Sequence, residues 1–314
     1  MKGDNPLLRL KTDLTISEAL MRFNNHNNAK SLSPETIKFY QKKLGNFIAF
    51  LNSDVLVNSI TPSTIESFSL QLKENGLSPA AINTHLRSIR AFINYCAKNG
   101  WCSQFTVYLV KQPNKPKEPY TPEELDKLLK KPNMKKASFA EYRTWVIINF
   151  LVATGCRVST LLAMQREDVN TVSATVHYRH LKSGEEQTVP LSKTMCSIFD
   201  EYFSIREWKP NDSVWISSFE VPMTINSLES SIRQYNLSHG VQKTSIHLFR
   251  HTFAKMYIQA GGDPFRLQKL LNHKDLTMTR RYVNLYGNDL SLNYDRLNPL
   301  EQMSKSCKTI KLHK

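Results

Sequence analysis

The chain has 314 residues, enough for about two domains that each bury a core. Hydrophobic residues make up 40% and charged residues 22%, which excludes a disordered chain, and the net charge of +15 calls for a polyanionic partner, either nucleic acid or an anionic membrane. The longest apolar run, residues 145–156, is broken by Asn149 and falls short of the roughly 18 residues of a membrane span, so it predicts a buried helix. Residues 1–12 mix Lys2, Asp4, Arg9 and Lys11 with no apolar stretch, so no secretory leader is expected and the cytoplasm is the expected location. Cys96, Cys102, Cys156, Cys196 and Cys307 form no C-x-x-C pair and are expected as reduced, packed thiols.

Along the chain, hydroxyl residues ahead of proline mark helix starts, because the hydroxyl caps orphan N–H groups and proline fits the first turn. Thr15 with Glu18 predicts a capping box, followed by Leu20 and Phe23. Behind Ser33-Pro34 the stripe Ile37, Tyr40, Leu44, Phe47, Ile48 and Leu51 has helical period. So does Ile82, Leu86, Ile89, Ile93 and Cys96 behind Ser78-Pro79. Thr61-Pro62 opens a shorter helix that Gly76 ends. An all-helical domain is predicted over residues 13–110, after a tail of residues 1–12. Three prolines and three lysines in residues 111–119 predict an extended cationic linker. Thr121 with Glu124 starts the next helix, and the second domain spans residues 120–290. Residues 172–178 and 187–191, joined through Leu181-Lys182-Ser183-Gly184, predict an antiparallel hairpin. Helical period returns at Met195, Ile198, Phe199 and Tyr202, and at Phe249, Phe253, Met256 and Tyr257, where Gly261-Gly262 closes the helix and Asp263-Pro264 opens another. The fold class is therefore mainly α: a helical domain, then a helical domain with a small antiparallel β-sheet.

Groups suited to phosphate chemistry cluster in the second domain. They are Arg157 on a glycine turn, Lys182 in the hairpin, His247-Leu248-Phe249-Arg250-His251, Leu271-Asn272-His273, and Arg280-Arg281-Tyr282. His247 and Arg250 share a helical face. His273 precedes Tyr282 across a helix cap expected at Thr277. In this order and spacing the residues resemble the tyrosine recombinases, or phage integrase family, over roughly residues 13–290. The resemblance implies a SAM-like core-binding domain, a catalytic domain, and cleavage and religation of DNA through a 3′-phosphotyrosine on Tyr282. It also implies strand exchange through a Holliday junction by a homotetramer on two synapsed double-stranded sites.

The residue types suit that chemistry. A phosphodiester under attack is crowded and doubly charged, and Arg157 and Arg250 can hold its oxygens in bidentate fashion. His247 and His273 can donate hydrogen bonds, and one of them could take the phenolic proton. A free phenol has a pKa of about 10, so Tyr282 needs a base or a cation, with His273 and Arg281 as candidates. Lys182 matches the family lysine that protonates the departing 5′ oxygen. No cofactor and no metal are called for. One departure stands out: where the family usually has an acidic residue three positions after the first arginine, this chain has Thr160, a weaker partner for Arg157.

Several of these signals also have a plainer reading. His247 and His251, four apart, suit zinc but lack an adjacent Glu or a third ligand. Tyr286 is a rival nucleophile, thirteen residues from His273. Lys38, Lys42, Lys43, Arg87 and Arg90 flank the apolar stripes and, with the linker's Lys115 and Lys117, are candidate DNA contacts. Beyond Tyr282, Leu290 at the end of the second domain and Leu292, Leu297, Leu300 and Met303 in the tail of residues 291–314 could pack on a neighbouring protomer or on their own domain. The alternatives to a recombinase, whether integrase, transposon enzyme of a mobile element or dimer resolvase, are a relaxing enzyme like the type IB topoisomerases and a catalytically weak DNA-binding adaptor.

Overall fold

The computed structural model describes residues 14–52, 54–112, 118–179, 185–273, 275–286, 295 and 298–300. The chain divides into two compact units, Met1–Lys115 and Pro116–Lys314. In the first, four helices, α1 (Ile16–Ala29), α2 (Pro34–Leu51), α3 (Pro62–Glu74) and α4 (Pro79–Lys98), follow the caps expected of them. Thr15 and Glu18 form a reciprocal capping box, and Ser33, Thr61 and Ser78 each accept an N–H from the first turn. Gly76, at φ 77°, takes the left-handed turn after α3. Phe23, Leu44, Phe47, Phe68, Leu86, Ile89 and Phe92 bury the core. The extended segment after α4 is held by polar clamps. Asn83 exchanges two 2.8 Å hydrogen bonds with the backbone of Val110, and the Arg90 guanidinium donates to the Val107 carbonyl.

The second unit is built on α6 (Phe139–Thr154), the apolar run, which has buried residues all around it. Around it lie α5 (Pro122–Leu129), α7 (Val158–Leu162), α8 (Lys193–Phe203), α9 (Ile225–Ser238) and α10 (His247–Gln259), then α11 (Pro264–Leu270) and α12 (Leu276–Tyr286). Thr121 and Glu124 close the capping box of α5. Among the described residues no helix is long and apolar enough to cross a membrane. Cys96, Cys102, Cys156 and Cys196 are buried free thiols, while Cys307 lies outside the described residues.

The sheet has three antiparallel strands, β1 (Val169–Asn170), β2 (Thr175–Tyr178) and β3 (Gln187–Pro190), with Val176 opposite Val189. Two expectations are corrected. The first hairpin strand starts at Thr175, not 172, because Val172 lies in the turn from β1 and is fully in solvent, where its β-branching has nothing to pack against. The cap of the last helix is Asp275, not Thr277. The Asp275 carboxylate accepts both the Thr277 N–H at 2.9 Å and its hydroxyl at 2.8 Å, which places Thr277 inside the first turn.

Candidate active site

Gly155 ends α6 at φ 60°, and a side chain there would meet the Phe253 ring at 2.6 Å and Leu271 at 2.9 Å. This close approach turns the Gly155 carbonyl toward α10, where it accepts Arg250 Nη1 at 2.9 Å. The other arm of Arg250 donates to the Leu271 carbonyl at 2.6 Å. The next carbonyl along, that of Asn272, accepts Arg157 Nη2 at 2.9 Å. Asn272 holds φ 48°, a left-handed conformation that Asn tolerates better than most residues, so two successive carbonyls reach two different guanidiniums.

Among the described residues neither guanidinium is paired with a carboxylate. Arg250 is buried, and burial together with the neighbouring Arg157 charge pulls its pKa down to about 10. Burial also lowers the pKa of Arg157. Two desolvated like charges held only by carbonyl dipoles form a site that an anion would stabilise, and a guanidinium fork has further donors for one. Thr160 is buried on α7, and a backbone carbonyl, that of Asn272, orients Arg157.

Tyr282 lies on the inner face of α12, buried with Ala254, Ile258, Leu267 and Leu271. Its hydroxyl lies 2.7 Å from Nδ1 of His251. Burial raises its pKa, against the opposing pull of the Arg250 and Arg281 charges, so the resting phenol is protonated at neutral pH. The His273 ring is parallel to the phenol, 6° between planes and 6.4 Å between centroids, and its Nδ1 pairs with Thr279 Oγ1 at 2.9 Å. Burial first, then the Arg250 and Arg157 charges, push His273 down to about 4, which keeps it neutral. His247 heads α10, exposed, with its ring 5.0 Å from that of His251. Open clefts flank the centre. One of about 570 Å³ includes Val158, Arg233 and His247, and one of about 720 Å³ includes Gln187, Asn272 and His273.

Of the residues singled out from sequence, Arg157, His247, Arg250, His273 and Tyr282 converge on this centre, whereas Lys182, Lys115 and Lys117 lie outside the described residues. Tyr286 is half-buried under Lys255, whose ammonium lies 5.4 Å from the ring centroid. Sequence reasoning passed over His251 and Thr279. The signal for His251 is its position four after His247 on one helix, a spacing that also suits metal binding. In the first unit Lys38, Lys42 and Arg87 are exposed. Lys43 instead pairs with the buried His85 at 3.2 Å, and Arg90 is committed to Val107. Of the apolar set beyond Tyr282, Leu300 is described and exposed, while Leu290, Leu292, Leu297 and Met303 lie outside the described residues.

The chain belongs to the phage integrase family, the tyrosine recombinases: the family described as "Phage integrase family" matches residues 119–288, and "Phage integrase SAM-like domain" matches residues 17–115. It is 25% identical over 281 residues to tyrosine recombinase XerD of Staphylococcus haemolyticus, covering 86% of this chain and 94% of the relative. It is 24% identical over 286 residues to tyrosine recombinase XerC of Chlamydia muridarum, covering 82% and 90%. Its fold is similar to that of the Tn1549 transposon integrase in complex with transposon right end DNA, with TM-score 0.72, 20% identity, and 86% and 94% of the two chains covered. It is likewise similar to a lambda integrase dimer bound to a COC′ core site, with TM-score 0.69, 18% identity, and 84% and 97% covered.

Proposed function

We propose that this tyrosine recombinase cleaves double-stranded DNA at a specific site by attack of the Tyr282 hydroxyl on a backbone phosphate. The 3′-phosphotyrosine formed is then resolved by strand exchange. The observation that carries the reading is the carboxylate-free pair Arg157 and Arg250, fixed by three backbone carbonyls beside a buried phenol. Such a pair suits the non-bridging oxygens of a phosphodiester, whose charge grows in the transition state. His247 and His273 supply further donors, and Lys182 supplies the proton for the departing 5′ oxygen. Assembly as a homotetramer on two synapsed sites follows from the same reading, with strands passing through a Holliday junction. Lys38, Lys42, Arg87, Lys115 and Lys117 are the proposed phosphate-facing cations, whereas Lys43 and Arg90 are engaged within the first unit.

A nicked suicide duplex carrying the flanking DNA of the gene's own element tests this. Covalent adduct is expected, with mass spectrometry placing the nucleotide on Tyr282, and Tyr282→Phe should form none. Adduct on another side chain, Tyr286 included, overturns the assignment, and no adduct overturns the reading. Relaxation of supercoiled plasmid lacking any target site would instead mark a topoisomerase.

A further inference from the structure

The Tyr282 hydroxyl has to lose its proton as its oxygen bonds to phosphorus, and burial holds its pKa above the usual value. Two imidazoles flank it, and they differ in what their nitrogens do. His273 directs Nδ1 to Thr279 and stacks parallel to the phenol. His251 directs Nδ1 at the hydroxyl itself, 2.7 Å away, from the middle of α10, a helix that packs on both α11 and α12. A protonated phenol has one hydrogen to give, and the acceptor it needs is the unprotonated nitrogen of a neutral imidazole. The contact lies within the reach required of a general base before any substrate arrives.

We infer that His251 is a catalytic residue of this centre, the base that receives the Tyr282 proton in cleavage and returns it in religation. The inference rests on the proposed nucleophilic role of Tyr282. In cleavage the Oη–H bond breaks and its proton passes to His251 Nδ1. The Oη–P bond forms while the P–O5′ bond breaks, and the leaving 5′ oxygen takes its proton from the separate acid assigned to Lys182. In religation a 5′ hydroxyl attacks the phosphotyrosine and returns its proton to the Lys182 amine, the P–O5′ bond forms as the Oη–P bond breaks, and the His251 imidazolium reprotonates the phenol oxygen, so the cycle is proton-neutral. His273 is left to act through the single N–H of its neutral ring, whose orientation is fixed by Thr279.

His251→Asn tests this, because its side-chain oxygen can still accept the phenolic hydrogen bond but cannot take the proton. Cleavage is measured on a nicked suicide duplex and on the same duplex with a 5′-bridging phosphorothiolate, whose thiolate leaves without protonation. The variant should bind DNA as the wild type does, cleave about a hundredfold more slowly or worse, and stay slow on the phosphorothiolate. Lys182→Ala should recover on it. Near-wild-type cleavage by His251→Asn, or its recovery on the phosphorothiolate, overturns the inference. Should the variant not fold, nitrogen-15 NMR of the wild-type histidines decides the matter, since a protonated Nδ1 on His251 in the neutral ring would exclude it as acceptor. Absence of adduct in the wild type removes the nucleophile assignment itself, an outcome distinct from a His251 variant that cleaves normally.

Discussion

Asn272 accepts a hydrogen bond from Arg157 through its backbone carbonyl, at 2.9 Å and across 115 positions of sequence. The contact depends on backbone conformation, since only a left-handed residue at 272 aims that carbonyl away from the one before it. Asn272→Gly should therefore retain stability and cleavage within a few-fold. Asn272→Val should lose about 1–2 kcal/mol from the strained φ and cleave far more slowly. Chemical unfolding and adduct formation measured in parallel check both, and a fully active Val variant would disprove the dependence.

Gly155 carries the carbonyl that holds the first arm of Arg250. Gly155→Ala should cost about 1–2 kcal/mol for its left-handed φ, and more because the Phe253 ring at 2.6 Å has to move. Adduct formation should fall further than stability accounts for, because displacing the carbonyl frees a guanidinium arm. Thermal unfolding beside cleavage rates will separate the two effects.

Thr160 stands within one helical turn of Arg157 and is buried. A carboxylate there would turn a cation held by a neutral dipole into a charge-assisted pair, a difference of about 1 kcal/mol. Thr160→Glu should raise the rate of adduct formation by up to about tenfold. A slower variant would mean that the Asn272 carbonyl already orients Arg157 fully.

His273 makes the catalytic unit sensitive to acid. Its folded pKa is about 4 against a usual 6.5, so the unfolded chain binds the proton first as pH falls. Stability from this source is complete above about 6.5 and is lost progressively down to about 4, a loss on the order of 3 kcal/mol at most. Urea unfolding across that window should be steeper in pH for the wild type than for His273→Asn. Parallel pH profiles would assign the lability to other groups.

The basic residues of the first unit fall into two sets. Lys38→Ala, Lys42→Ala and Arg87→Ala should leave folding intact, and each should reduce the salt slope of DNA binding by about one where it meets a phosphate. Arg90→Ala should lower the unit's melting temperature, because it releases the Val107 carbonyl that Arg90 holds. Binding isotherms at several salt concentrations, with melting curves, distinguish the sets.

Local signals were legible in the sequence wherever the physics is local. Thr15 with Glu18, Ser33, Ser78 and Thr121 announce their helices because a cap is satisfied within three residues. Helix α9 went unread because its stripe of Leu228, Ile232 and Tyr235 is narrow and set among Ser and Asn, which favour turns in isolation. Strand β1 is two residues long and exists only through pairing with β2, a tertiary fact. At the site, residue types and order pointed to Arg157, Arg250, His273 and Tyr282. The His251 contact did not, because it depends on which face α12 turns toward α10.

Every anchor seen on the two central guanidiniums is a main-chain oxygen. Side-chain replacement cannot delete such an anchor; it can only bend the chain that carries it. Drift around the centre is thus filtered by shape rather than by chemistry: a substitution is tolerated wherever it leaves those carbonyls aimed as they are.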